Sequence, residues 1–445
     1  MSLARHTEYK DSGVEWLGDV PAHWRVLRLK HACIVFPSNI DKHSRDDELM
    51  VRLCNYTDVY YNERITGDMQ FMEATASVEQ IAKFTLRAGD TIITKDSETA
   101  DDIAISAYVP DDLPGVVCGY HLSMVRPQSG TAGGFVKRLF DSAYAKARFA
   151  IAANGLTRVG LGQYALENVE LPFPPHDEQT AIAAFLDSET AKIDALIAEQ
   201  EKLIALLAEK RQATISHAVT RGLNPDAPMK DSGVAWLGEV PAHWVLLSLK
   251  RICDVRDGTH DTPEFVEPSF NTYPLVTTKD ISDGLISLDD AKHISTVDYG
   301  EIAKRSIVQR GDIIMPMIGS IGGAVLVNTD SEFAIKNIAL FKVNNAFVGG
   351  WLQHVLNSKV AHLQFDLQRS GGVQSFVGLG ALRNLLIPTP ELTEQQLIMA
   401  FVDEEIGKLD QLVSECLRTA ALLNERRSAL IAAAVTGQIG VRTAA

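Results

Sequence analysis

Several things are missing from this 445-residue chain, and each absence removes a class of function. No uninterrupted apolar run approaches the ~20 residues needed to cross a bilayer. The opening MSLARHTEYKDSG lacks the apolar segment of a secretory signal. Cysteine is scarce: Cys33, Cys54, Cys118, Cys253 and Cys416 are scattered, odd in number and without a CxxC pair. A reducing, cytoplasmic setting is therefore expected, with neither a disulfide framework nor a zinc site. Positive charge is the minority sign, 42 Lys and Arg against 57 Asp and Glu, and a net −15 argues against nonspecific adhesion to nucleic acid by the chain alone.

Catalytic signatures are missing too. There is no GxxxxGK[ST] phosphate loop, so ATP hydrolysis has no seat. No N/D-P-P-Y/F/W motif of the amino-methyltransferases occurs, and PFPP at Pro172–Pro175 reads as a proline-rich connection. Pro110-Asp111-Asp112 could open a nuclease-like PD…ExK motif, but no acidic-x-Lys follows, and it reads as a turn before Leu113-Pro114-Gly115. His23 and His243, beside Trp24 and Trp244, have no Cys, Asp or Glu at metal spacing, so packing or capping is expected and a metal is not. The GLG triplets at Gly160–Gly162 and Gly378–Gly380 read as structural turns. No catalytic residue is assigned.

What the chain does contain is a repeat. KDSGVEWLGDVPAHW (Lys10 to Trp24) returns 220 residues later as KDSGVAWLGEVPAHW (Lys230 to Trp244). A second shared element begins ALENVELPFPPHDEQ at Ala165 and ALRNLLIPTPELTEQ at Ala381, and both copies end in AVT. One architectural unit has been used twice, with shared and variable stretches alternating.

Each shared element carries a long helical pattern. The Pro174-Pro175 pair precedes a helix opening at Asp177 or Glu178, and Thr393 with Gln396 forms a T-x-x-Q capping box in the second copy. Leu186, Ile193 and Leu207 share one heptad position, with Leu196 and Leu203 on its partner. Val402, Leu409 and Leu423 repeat this, with Leu412 as partner, while Gln200 and Cys416 interrupt the seam. The pattern predicts a coiled-coil seam in helices about 60 Å long. Packing on each other, antiparallel, is favoured over burial of each helix in a larger core. The helical stretches Asp177–Arg221 and Glu391–Arg427 hold −7 of the −15 charge, leaving the rest less acidic.

The variable segments, 25 to about 160 and 245 to about 377, read as mixed α/β modules. RAGDTIITK (Arg87 to Lys95) and QRGDIIMPMIGSIGGAVLV (Gln309 to Val327) each place a Gly-Asp turn before an apolar strand. Further strands are predicted at Tyr120 to Arg126 and Ala334 to Val343, and single short helices at Val136 to Ala150 and Trp351 to Gln364. The fold class is α+β: two mixed α/β domains separated by a pair of long antiparallel coiled-coil helices, in a pseudo-two-fold repeat. The expected domains are 1–175, 176–222 (first spacer helix), 223–390 and 391–445 (second spacer helix and tail).

The two KDSGVxWLGxVPAHW segments, the GLNPDAPM that precedes the second, and the P-x-x-EQ helices resemble the specificity subunit of type I restriction–modification enzymes. DGTHDTPEF (Asp257 to Phe265) and YPLVTTKDI (Tyr273 to Ile281) resemble one version of that family's target-recognition domain. SETADDIAIS (Ser97 to Ser106) departs from the Gly-rich turn at the corresponding place in the second domain. The resemblance implies a non-catalytic DNA-reading subunit. Each domain would read half of a bipartite double-stranded target, while the helices set the gap and dock methyltransferase subunits, two of them. S-adenosylmethionine, ATP and magnesium would sit on the methyltransferase and motor-nuclease partners, with no cofactor in this chain and no membrane. A protein-only scaffold and an autonomous DNA-modifying enzyme are the competing readings.

Reading base edges takes donors and acceptors such as Arg, Asn and Gln near turns. The candidates are Lys95, Tyr120, His121, Arg158 and Gln163 in the first domain. In the second they are His260, Thr278, Lys279, Lys336, Asn337, Arg369, Gln374 and Ser375. Lys336-Asn337 and the Arg369–Ser375 loop rank first, because Gly371-Gly372 would allow close backbone approach to DNA.

Overall fold

Each copy of the fifteen-residue repeat folds as a β-hairpin. Tyr9–Asp11 pairs antiparallel with Asp19–Pro21, and Met229–Asp231 pairs with Glu239–Pro241 in the same register. The shared Asp closes the turn by accepting the amide of Gly13 at 2.9 Å in one copy and of Gly233 at 3.0 Å in the other. The repeat ends three residues beyond the hairpin in a tryptophan, and Trp24 and Trp244 are both fully buried.

The computed structural model describes residues 5–155, 157–234, 236–282, 284–319, 321–343, 346–368 and 375–441. It divides into two units, Met1–Glu201 with Leu417–Ala445, and Lys202–Cys416. Each holds one hairpin, one globular α/β module and parts of two long helices, His176–Arg221 and Leu392–Val435. The fold is α+β, built twice. No helix among the described residues is long and apolar enough to cross a membrane.

The two modules share a topology that their sequences hide. In the first, a four-stranded sheet runs Cys33–Pro37, Leu122–Pro127, Thr91–Thr94, Ser106–Tyr108. In the second, Asp254–Asp257, Ile338–Lys342, Ile313–Pro316, Val325–Leu326 follow the same order with all neighbours antiparallel. Successive residues of these strands face opposite sides. Ile93 and Val125 enter one core of the first module, and Ile92 and Met124 enter another. Ile313 and Phe341, against Ile314 and Leu340, do the same in the second. Burial on both faces explains why these strands read as continuous apolar runs and not as alternation.

The Gly-Asp turns have a common purpose. Asp90 is fully buried, accepts the Arg87 amide at 2.9 Å and takes two hydrogen bonds from the Arg126 guanidinium at 2.8 and 2.6 Å. Asp312 accepts the Gln309 amide at 2.8 Å and the Lys342 ammonium at 2.7 Å. A buried carboxylate thus ties the start of one strand to the end of its neighbour.

Where single short helices were predicted, the structure has pairs: Gly133–Asp141 with Ala143–Ala152, and Ala346–Leu356 with Lys359–Gln368. A serine causes each break. Ser142 Oγ donates to Leu139 O at 2.6 Å and accepts from Ala145 N at 3.2 Å; Ser358 Oγ bonds Val355 O and Ala361 N alike, at 2.6 and 3.3 Å. It closes one helix and caps the next.

The long helices contain 46 and 44 residues, about 65–70 Å each. The second starts at Leu392, so Thr393 lies inside it and is not its cap. Gln395 instead reaches back to Pro390 O at 2.9 Å, and Gln179 to Pro174 O at 2.8 Å. Within each unit the helix segments run antiparallel. In the first, Arg427 meets Asp194 at 2.8 Å while Ile431 and Val435 share a core with Leu186 and Ile182. In the second, Arg211 meets Asp410 at 3.0 Å, and Leu207 packs with Leu409 and Cys416. The predicted seam is half right. Leu186, Ile193, Leu207, Val402 and Leu409 are buried, Leu423 is half-buried, and Cys416, expected to interrupt the seam, is buried in it. The expected partner residues Leu196, Leu203 and Leu412, however, are 52%, 42% and 46% exposed. Ile204 and Val413 pack into the seam in their place. Val413 stands four residues after the buried Leu409, and Ile204 three residues before the buried Leu207.

All five cysteines are free and buried, and burial pushes the Cys33 and Cys253 thiols up to about 12.

Candidate nucleic-acid interface

In the second unit, strand geometry gathers residues that are distant in sequence. The strand Asp254–Asp257 ends at Gly258, whose amide bonds Ile338 O at 2.9 Å. A Cβ on Gly258 would lie 2.1 Å from Ile335 O, so only glycine permits this approach. Thr259 N then bonds Ile335 O at 3.0 Å, Asn337 N bonds Thr259 O at 3.0 Å, and Lys336 N bonds Val276 O at 2.9 Å. Three loops are thereby stitched edge to edge, and His260, Thr278, Lys279, Lys336 and Asn337 come together.

His260 is exposed, with Nδ1 2.9 Å from Asn337 Oδ1 and Nε2 3.0 Å from Asp257 Oδ2. Asn337 holds a left-handed backbone (φ +58°), a conformation asparagine tolerates better than most residues. The Lys336 ammonium donates to Thr262 Oγ1. Beside them opens a cleft of about 510 Å³ lined by Thr278, Lys279, Lys336 and Asn337, and also by Phe265, Asp280, Asp290 and Lys292. Lys292 lies 4.5 Å from the Phe265 ring centroid. Ser375 adjoins the cleft wall through its carbonyl, which accepts the Gly319 amide at 2.9 Å. Arg369, Gln374 and the Gly371-Gly372 pair lie outside the described residues.

In the first unit the candidates surround Asp96. Its carboxylate is 2.8 Å from His121 Nδ1 and 3.0 Å from Arg158 Nη2. Lys95 donates to Ser38 O at 3.0 Å and stands 4.3 Å from the centre of the Tyr120 ring. Burial pushes the Lys95 ammonium below its ordinary value, with the Asp96 charge opposing. Pairing of Asp96–Ser97 with Val159–Gly160 brings Arg158 here from sixty residues away. Gln163 is set apart: it opens the helix Gln163–Asn168, and its amide donates to Glu167 on that helix at 2.7 Å. A hollow of about 320 Å³ beside Tyr120 and His121 is also lined by Lys42, His43, Asn55 and Tyr56.

The two clusters occupy one topological place. Tyr120-His121 immediately precedes the strand Leu122–Pro127, and Lys336-Asn337 immediately precedes its counterpart Ile338–Lys342. Sequence reasoning missed the acidic partners Asp96 and Asp257 and the Phe265–Lys292 pair. Asp257 and His260, three apart in the DGTH turn, were the one local signal; nothing near Asp96 in sequence marks Arg158 as its partner.

Comparison with known proteins fits this arrangement. The family described as type I restriction modification DNA specificity domain matches residues 52–205 and 241–412, more than half of the chain. The chain is 26% identical over 312 residues to the type I restriction enzyme EcoBI specificity subunit of Escherichia coli, a match covering 68% of this chain and 66% of that protein, just under two thirds. The fold is shared with the HsdS subunit from Thermoanaerobacter tengcongensis, at 18% identity and a TM-score of 0.53 over 94% of this chain and 98% of that one. It is shared also with a chain solved in work on complex assembly and conformational transition of the type I R-M system, with the same identity and coverage and a TM-score of 0.63. With its doubled frame and two matched segments, the chain belongs to the family of type I restriction–modification specificity subunits.

Proposed function

We propose that this chain reads a bipartite double-stranded DNA target, one half-site per globular module, and does no chemistry itself. The observation that carries this is the pairing of one repeated topology with two unlike polar edges. The first presents Lys95, Tyr120, His121 and Arg158; the second presents His260, Lys279, Lys336 and Asn337. Each set mixes cations for phosphate with imidazole, amide or phenol groups able to meet base edges. Neither set forms a nucleophile–base pair aimed at a reacting atom.

The long helices set the gap between half-sites and dock two methyltransferase subunits. Exposed apolar side chains on them support a protein partner: Leu196, Leu203 and Leu206 on the first, Leu397, Leu412 and Leu422 on the second. S-adenosylmethionine then belongs to the methyltransferase subunits, and ATP and magnesium to a motor-nuclease subunit. Much of the phosphate neutralisation comes from those partners, which reconciles the net −15 with DNA binding.

The test is a DNA shift assay over all single-base variants of a cognate site, with and without the methyltransferase partner, at fixed salt. Binding that strengthens with the partner and discriminates bases in two blocks supports the proposal. Methylation of DNA by the isolated chain with S-adenosylmethionine contradicts it.

A further inference from the structure

We propose that His6, His23 and Glu178 form a binding site for one divalent transition-metal ion, zinc being the best fit. The three donors come from separate parts of the first unit: the N-terminal arm, the end of the first hairpin and the first turn of the first long helix. Their ligand atoms all lie within 4.8 Å of one another. His23 Nε2 is 2.8 Å from Glu178 Oε2, and His6 Nε2 is 3.8 Å from Glu178 Oε1. A zinc ion bonded at ~2.0–2.1 Å to each donor holds them a little over ~3 Å apart, so donors that now lie within 4.8 Å of one another would have to close by at most about 1.5 Å.

Two further observations point to a ligand. His6 Nε2 is buried and has no hydrogen-bond partner, although it faces a carboxylate and a second imidazole. The carboxylate is also oriented from behind, since Trp24 Nε1 donates to Glu178 Oε1 at 3.1 Å, the kind of outer contact that fixes a metal-binding carboxylate. Two imidazoles and one carboxylate suit zinc, cobalt or nickel better than magnesium or calcium.

The second unit is an internal control. His243 Nε2 and Glu394 Oε2 repeat the pair at 2.7 Å, but Asp226 stands where the 220-residue repeat would place a counterpart of His6. Trp244 Nε1 has no partner, and no second trio gathers among the described residues. In the first unit the ion would pin the arm to the helix start, independently of DNA reading and with a coordination position left for water.

The experiment uses the full chain without a histidine tag, stripped by chelator and titrated with zinc by calorimetry and with cobalt by visible absorption. One equivalent of zinc is expected, with cobalt bands of a four- or five-coordinate site. His6→Ala should weaken zinc by more than ~100-fold, beyond the ~10–100-fold that loss of an outer partner costs, and should abolish the cobalt bands. His6→Cys, which restores a donor, should recover them with thiolate character, and His243→Ala should change nothing. Matching metal-free melting curves for the native chain and His6→Ala exclude unfolding as the cause. Absence of stoichiometric zinc binding in the native chain, or unchanged affinity in His6→Ala, overturns the proposal.

Discussion

Asn337 Oδ1 lies 2.9 Å from His260 Nδ1, so a left-handed residue before one strand orients an imidazole in the turn that follows another. If each module reads one half-site, loss of this pair at the polar edge of the second module should register in one half-site alone. Asn337→Gly keeps the backbone conformation while removing the amide. We expect it to cost about 1–3 kcal/mol at one base position and to leave the other half-site unchanged. A binding series over single-base variants checks this; uniform weakening across all variants would reassign Asn337 to backbone positioning.

Asp90 holds the first module's sheet through Arg126 and the Arg87 amide, entirely out of solvent. Removing one member of a buried pair leaves the other charge uncompensated, at a cost of about 3–5 kcal/mol. Asp90→Ala should therefore speed amide exchange in Thr91–Thr94 and Leu122–Pro127, while Ile313–Pro316 keeps native protection. Hydrogen exchange with mass spectrometry reads both in one sample. Equal loss in both units would show that they do not respond separately.

Burial pushes the Glu63 carboxyl up, but Lys137, Arg427 and Arg138 outweigh it and hold it below its ordinary 4.5. A carboxyl lowered on folding contributes stability in full above that ordinary value and loses it as pH falls through the lower folded one. Arg427→Ala should thus lower the melting temperature of the first unit at neutral pH, and the difference from the native chain should shrink below about 4.5. A gap that widens on acidification contradicts the sign.

If the helices set the half-site gap, one extra turn in each should lengthen it. Four residues inserted near Ala205, matched by four near Val413, add about 6 Å, close to two base pairs at ~3.4 Å each. The methylated target should keep both half-sites and gain spacing. Altered bases within a half-site would make the helices part of the reader.

Much of this was legible in the sequence because the frame is written twice. The two KDSGVxWLGxVPAHW segments, the EQ helix starts and the AVT helix ends match one another, and their offsets announced a repeat, though not that each segment is a hairpin. The shared sheet order of the modules was not legible, because Thr91–Thr94 and Ile313–Pro316 keep apolar character with Ile92 and Ile314 as their one identical pair. The seam went half wrong for a similar reason. Leucine at 196, 203 and 412 fits a heptad as well as isoleucine at 204 or valine at 413, and only the partner's side decides. At the polar edges, composition pointed to Lys336 and Asn337. The ion pair of Asp96 with Arg158 arises from strand pairing across sixty residues and has no local signature.

Domain exchange tests the central claim most directly. Residues 245–377 are replaced by the corresponding module of a family member with another target, the chain is expressed with its methyltransferase partner, and methylated sites are mapped by single-molecule sequencing. Two readers on one frame should give a target with one half-site exchanged, the other retained and the gap unchanged. If both half-sites change, or neither does, the modules do not read separately and the account is wrong.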